Sequence, residues 1–331
     1  MTDFTALSSF SYQLLILLTV ILSKAVMSHF IRHEPLRYFQ FYCQKLSDKV
    51  NKPQSSSQNT PKQQAIAGLV SIIITLPPII IILWMFETFV EINFLWQALL
   101  LYIAMGSFGL TQVSKAIAQA LVSKQNYLAK QTLNPWVLRE TESLSSLGLS
   151  KTSIEMQLLR TLQQGYAVAI FFIFFGPLMA LSYRLLLEMH YCWNTKLVKH
   201  NHFGLYSKRL VNLLHWFPVR VFSLLLLFVS IGKNFVLFWR LSGQYFFQLN
   251  NNVALLLLAL NLEVKLGGVA IYDDKEHSKE KLRKINFNDL ARQPQATDII
   301  HANNKIHEII YISLFFIILI AMAIELVAAN I

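Results

Sequence analysis

Four long apolar runs, at residues 66–90, 166–187, 221–239 and 309–329, constrain this chain more than any other feature. Each approaches or exceeds the roughly 20 residues a helix needs to cross the hydrocarbon core of a bilayer. In lipid a backbone must satisfy its own hydrogen bonds, so such runs fold as helices. Two shorter runs, 12–27 and 92–110, read as further spans. Residues 253–262 are too short to cross and read as a half-helix or an interfacial helix. Charged residues make up 14% of the chain, too few to cover a water-soluble surface, where about 25% is usual. The expected fold is all-α: one polytopic membrane domain over residues 1–331, with about four to six spans and cytoplasmic helical segments.

The net charge of +11 is carried by bases lying between the apolar runs. That placement fits membrane flanks facing anionic lipid and gives no reason to expect nucleic acid. Asp3 precedes the first run and Lys24, Arg32 and Arg37 follow it, so it reads as a signal anchor rather than a cleaved signal peptide. The positive-inside rule places basic residues 28–65 and 111–165 in the cytoplasm of a bacterial-type cell, with the acidic turn at 87–93 outside the inner membrane. A full crossing by 166–187 would then put Lys196, Lys199, Lys208 and Arg209 outside, against the rule. Either 188–220 breaks the rule or a neighbouring run is re-entrant, and Gly176-Pro177 permits such a break. Residues 52–64 read as a polar linker and 273–308 as a charged loop. Cys43 and Cys192 form no zinc or disulfide framework, and no histidine spacing suggests a metal site.

Several motifs have sufficient structural readings. Asn134-Pro135 looks like a helix start, with Arg139 and Glu142 paired three residues apart on the helix that follows. Thr152-Ser153-Ile154-Glu155 has capping-box spacing. The segment from His215 to Arg220, with Trp216 and Pro218, reads as a membrane entry with Arg220 snorkelling. Gly267-Gly268 reads as the C-cap of a helix over 253–266.

In order, however, His33-Glu34-Pro35, Arg139-Glu140-Thr141 with Leu144, Ser153-Ile154-Glu155, Gly176-Pro177, Phe203-Gly204, Arg209-Leu210, Trp216-Phe217-Pro218-Val219-Arg220 and Leu266-Gly267-Gly268 resemble the CobD/CbiB family of cobalamin-biosynthesis membrane proteins. The resemblance implies a ligase-like protein resembling adenosylcobinamide-phosphate synthase. Such a protein joins a corrinoid carboxylate to aminopropanol phosphate with ATP and Mg²⁺. It nominates Arg139, Glu140, Thr141 and Glu155 as catalytic candidates. As substrate-binding candidates it offers Arg209, Trp216, Arg220, Gly267 and Gly268. Partners would be membrane lipid and a corrinoid intermediate, and no metal ligand is assigned.

The chain departs from the family pattern at its acids. Leu159-Arg160-Thr161 stands where the family has Glu-Asn-Thr, and Gln163-Gln164 where it has Asp-Gly. Leu187 and His190 align with an Asn and an Asp, and Val211-Asn212 with Asp-Asp. Magnesium prefers hard oxygen ligands, above all carboxylates, so these changes imply weakened or lost catalysis, while Arg160 offers a phosphate or carboxylate a direct partner. The alternative is a non-enzymatic regulator or sensor resembling the AmpE branch, which shares the Pro-Val-Arg element. A transporter fits least, because no matched halves are present.

Overall fold

The computed structural model describes residues 8–30, 35–51, 60–106, 110–230, 235–272, 280–283 and 285–329. His33, Glu34, most of the polar linker and residues 273–279 of the charged segment lie outside the described residues. The chain is a helical, polytopic membrane protein. Its long apolar helical stretches are Ser9–Met27, Pro61–Glu87, Ser146–Cys192, Leu205–Val229 and Ala296–Ala328.

Helix α1 (Ser9–Phe30) leads to α2 (Arg37–Val50), an amphipathic helix with Cys43 and Ser47 on its buried side. Helix α3 (Pro61–Glu87) opens on a capping box between Thr60 and Gln63, with Pro61 where a missing N–H is no loss. Helix α4 (Asn93–Ala104) spans only about 18 Å, too short to cross alone, so the run at 92–110 is not one continuous span. Helices α5 (Leu110–Val122) and α6 (Asn126–Leu133) follow.

Helix α7 (Ser146–Arg160) passes through a π-helical turn, Thr161–Tyr166, into α8 (Ala167–Cys192). This is not a straight rod. Gly176 adopts φ 81° and ψ −178°, a conformation open essentially only to glycine. Beyond it the chain doubles back. Tyr191 Oη donates to Gln163 Oε1 at 2.6 Å across 28 residues, which a straight helix would hold about 42 Å apart. Tyr183 Oη reaches the Gln163 carbonyl at 3.1 Å, and its ring lies 4.8 Å from that of Phe171. The run at 166–187 is therefore a helical hairpin with its tip at Gly176-Pro177.

The run at 221–239 is also divided. Helix α9 (Leu205–Val229) ends there, and α10 (Phe235–Phe246) begins a separate helix. Helix α11 (Asn252–Asn261) is buried from Val253 to Asn261, so the apolar stretch 253–262 is a core element rather than an interfacial one. Strand β1 (Val269–Tyr272) pairs antiparallel with β2 (Glu280–Arg283). Helix α12 (Ala296–Ala329) then starts well inside the segment read as a charged loop. Arg292 fixes that start by gripping Asp298 with two bonds of 2.7 Å. At the far end Glu325 accepts from the Ser8 amide and hydroxyl at 2.9 and 2.6 Å, joining the last helix to the first.

Two apolar cores result. One gathers α1, α3, α4, the α8 hairpin and the start of α9. The other gathers α5, α6, α7, the second half of α9, α11 and the first half of α12. The cavity described next is walled by α7, the returning limb of the hairpin and the starts of α9 and α11.

Candidate functional site

A cavity of about 590 Å³ lies among the segment 135–139, α7, the end of α8 with the loop after it, and residues 250–252. Its size is ordinary for a small-molecule site. After the 3₁₀ turn Asn134–Trp136 the chain runs extended, not helical, because it pairs with β1. Arg139 bridges to Tyr272, and the Glu140 amide donates to the Ile271 carbonyl at 3.0 Å. The helical Arg139–Glu142 pair expected from spacing therefore does not form. Arg139 instead meets Glu155 at 2.5 Å and donates to Thr152 Oγ1 at 2.9 Å.

The capping-box reading of Thr152 and Glu155 is also overturned. Helix α7 starts at Ser146, with Ser145 as its cap, so both residues sit in the helix interior. Glu155 is buried, and its second oxygen accepts from the Gly267 amide at 3.1 Å. Gly267 is not a helix cap, since α11 ends at Asn261. Its φ is +82°, and a Cβ there would lie 2.1 Å from the Ile285 carbonyl. Only glycine lets the backbone approach Glu155 this way.

The opposite side of the cavity is basic. Arg160 donates through Nε and Nη2 to the Trp136 carbonyl at 3.2 and 2.9 Å. Its guanidinium lies between the rings of Trp136 and Tyr191, 5.4 Å from each. Lys196 stands 5.1 Å over the Tyr272 ring, and Lys208 completes the group. Lys196 is exposed to the cavity yet enclosed by its walls. Desolvation by those walls, then the charge of Arg139 and that of Lys208, hold its pKa below the ordinary lysine value, against the opposing pull of Glu155. Among the described residues lining the cavity, Arg139, Arg160, Lys196 and Lys208 face a lone carboxylate, Glu155, which is already engaged.

The remaining nominated residues lie elsewhere. Glu140 accepts from Ser143 Oγ at 3.4 Å, and buried Thr141 donates to Asn134 Oδ1 at 3.3 Å. Arg209 is exposed over the Tyr206 ring, outside the cavity. Gly268 has φ +116° and does not line it. Trp216 and Arg220 sit in the interior of α9, which starts at Leu205 rather than at Pro218. Arg220 is buried and donates to the carbonyls of Tyr245, Phe246, Gln248 and Asn250, with its guanidinium 5.4 Å from the Trp216 ring. It has no need to reach water. It holds the loop that brings Asn250, Asn251 and Asn252 to the cavity wall.

Sequence reasoning offered Arg160 as a direct partner for a phosphate or carboxylate but nominated neither Lys196 nor Lys208, although a signal for this cavity was present. Leu159, Arg160, Gln163, His190 and Asn212, which stand at or beside the family's polar and acidic positions, all line this cavity.

The Mg²⁺ that the resemblance implies alongside ATP does not fit these side chains. Among the described residues no three His, Cys, Asp or Glu side chains converge as a metal site. The cavity's carboxylate is held by Arg139 and the Gly267 amide, leaving a donor set of amides and cations unsuited to a hard dication.

Fold and cavity together define a polytopic helical membrane protein with a basic, amide-rich pocket. Residues 16–304 match the family described as CobD/Cbib protein, and the chain belongs to that family of cobalamin biosynthesis. The protein named Cobalamin biosynthesis protein CobD of Chromobacterium violaceum is 26% identical over 205 residues, covering 62% of this chain and 66% of that one. Its namesake in Stutzerimonas stutzeri is 25% identical over 225 residues, covering 68% and 72% respectively. That of Leptospira interrogans is 27% identical over 213 residues, covering 62% and 66%. The match thus spans about two thirds of the length of these relatives. No solved structure matches the chain.

Proposed function

We propose that this chain is a corrinoid-pathway membrane protein whose pocket binds an anionic group, a carboxylate or phosphate of a corrinoid precursor or its amino-alcohol partner, with weakened or lost ligase chemistry. One observation carries the reading: the described lining sets four bases against a single carboxylate that Arg139 and Gly267 already occupy. Cations with planar or rotatable donors suit phosphate and carboxylate oxygens. The same cations repel Mg²⁺, and the amides at Gln163 and Asn212 offer it only neutral oxygens. Binding without metal and a non-enzymatic sensing role of the AmpE kind are compatible with this site.

The test has two arms. Purified protein given a corrinoid acid, aminopropanol phosphate, ATP and Mg²⁺ is expected to form amide far more slowly than an ordinary enzyme. Turnover of about 1 per second or faster overturns the loss of catalysis. Calorimetry with aminopropanol phosphate and no metal is expected to show binding that Arg160→Gln weakens about tenfold or more. The affinity has a pH sign. Binding an anion favours protonated Lys196, so affinity falls as pH rises through the lowered pKa of that lysine, before the ordinary value of 10.5 is reached. Lys196→Gln should remove that limb of the profile, and an unchanged profile would exclude Lys196 from the site.

A further inference from the structure

We propose that Cys43 and Cys192 are a redox-modification site, where a small disulfide such as oxidised glutathione converts the two thiols into one bond tying α2 to the returning limb of the α8 hairpin. The packing of α2 on that limb brings them together from distant parts of the chain. Gln40 and Cys43 lie three residues apart on α2, and Glu188 and Cys192 four apart on the limb, so each pair shares a helix face. The two faces meet. Gln40 Nε2 donates to Glu188 Oε2 at 2.8 Å, and Cys192 Sγ donates to the Gln40 carbonyl at 3.7 Å. One residue on, the Trp193 indole N–H donates to the Cys43 carbonyl at 2.9 Å. Among these contacts the thiols of Cys43 and Cys192 are hydrogen-bonded to each other.

Cysteines in a core can serve only as small apolar fillers. The unequal exposure of this pair argues for chemistry. Cys43 is fully buried, whereas Cys192 is half-buried. That is the arrangement of an attacking thiol beside a resolving one. The hydrogen bond with Cys192, then burial, hold the Cys43 thiol above its ordinary value, so Cys192 reacts first. Its thiolate attacks one sulfur of the glutathione disulfide. That bond breaks, and the departing glutathione thiolate takes up the proton Cys192 gave away. The Cys43 sulfur then attacks the Cys192 sulfur, forming the internal bond and expelling the second glutathione, which leaves with the proton from Cys43. The two thiols lose two protons and two electrons, and one glutathione disulfide becomes two glutathiones. Cytoplasmic thiols rest reduced, so the bond forms when the glutathione pool turns oxidising and reopens when it recovers. The bond acts on the cavity wall. Tyr191 and Asn194 lie on either side of this stretch and line the cavity, and the Tyr191 ring flanks the Arg160 guanidinium.

The experiment treats the full chain in detergent with oxidised glutathione and reads the intact mass, the mapped crosslink and amide hydrogen exchange. The expected results are a loss of two hydrogens, a crosslinked peptide joining Cys43 to Cys192, and reversal by reduced glutathione. Exchange across residues 188–196 should slow by about threefold or more in the oxidised chain. Cys43→Ala should stop at a glutathione adduct on Cys192, and Cys192→Ala should leave Cys43 unmodified. Two glutathione adducts with no crosslink, bridges only between separate chains, or an oxidised chain with unchanged exchange would each overturn the proposal. None of these readouts depends on what the cavity binds.

Discussion

Glu155 draws together a helix, a strand-like segment and a glycine turn. Its partners lie 16 and 112 residues away, so no local pattern announces them. Spacing alone favours a capping box, and a cap would accept glutamine with little change. The buried ion pair predicts otherwise. Glu155→Gln keeps an acceptor for the Gly267 amide but leaves Arg139, only 11% exposed at its side chain, without a counter-charge. Breaking a buried pair from one side costs about 3 kcal/mol, so the thermal midpoint in detergent should drop clearly. The same change removes the carboxylate that opposes the cavity's bases, so phosphate should bind more tightly. Reduced stability with increased anion affinity is the expected pair of results, and a variant unchanged in both would restore the cap. Arg139 and Glu155 were legible as candidates because the family motif marks them. Arg160 was legible as an anion partner from its place among the family's polar positions, whereas Lys196 and Lys208 were not, because isolated bases in a basic chain resemble membrane flanks.

At the scale of elements, the length of an apolar run proved less informative than what interrupts it. The runs at 166–187 and 221–239 look equally continuous in hydropathy, yet one folds back on itself and the other is two helices. Gly176-Pro177 carried the signal for the hairpin. Hydropathy cannot distinguish a run that crosses from one that enters and returns, since both bury apolar side chains. The hairpin tip makes a separable prediction. A Cβ on Gly176 would meet nothing within 4 Å, so Gly176→Ala suffers only the backbone strain of φ 81°. That strain should cost about 1–3 kcal/mol, read as a lower thermal midpoint. Pro177 opens the returning limb, where its missing N–H is no loss, so Pro177→Ala should shift stability by under about 1 kcal/mol. Similar effects from both substitutions would argue against a tip held by the conformation of Gly176.

Across the whole molecule the hairpin removes the conflict in the charge pattern. A segment that enters and returns leaves residues 193–204 on the side from which α7 came. The contacts agree: Lys199 pairs with Asp48 at the end of α2, Asn51 Nδ2 donates to the Lys199 carbonyl at 2.7 Å, and Lys196 shares the cavity with Arg139 and Arg160. Three basic segments, 35–51, 111–165 and 188–209, are thus tied together, while the turn between α3 and α4 carries Glu87 and Glu91 and no base. With residues 188–209 on the same side as 111–165, the charge conflict at that segment disappears, and the cavity lies among the basic segments. Single cysteines at Lys45, Lys130 and Lys196, introduced after replacing Cys43 and Cys192 with alanine, should react with a membrane-impermeant maleimide only once the cells are permeabilised. A cysteine at Phe89, which is 80% exposed in the acidic turn, should react in intact cells. Labelling of the Lys196 position from outside while the Lys130 position stays protected would mean that the chain crosses between them. The hairpin, and the cavity assembled on its returning limb, would then both be wrong.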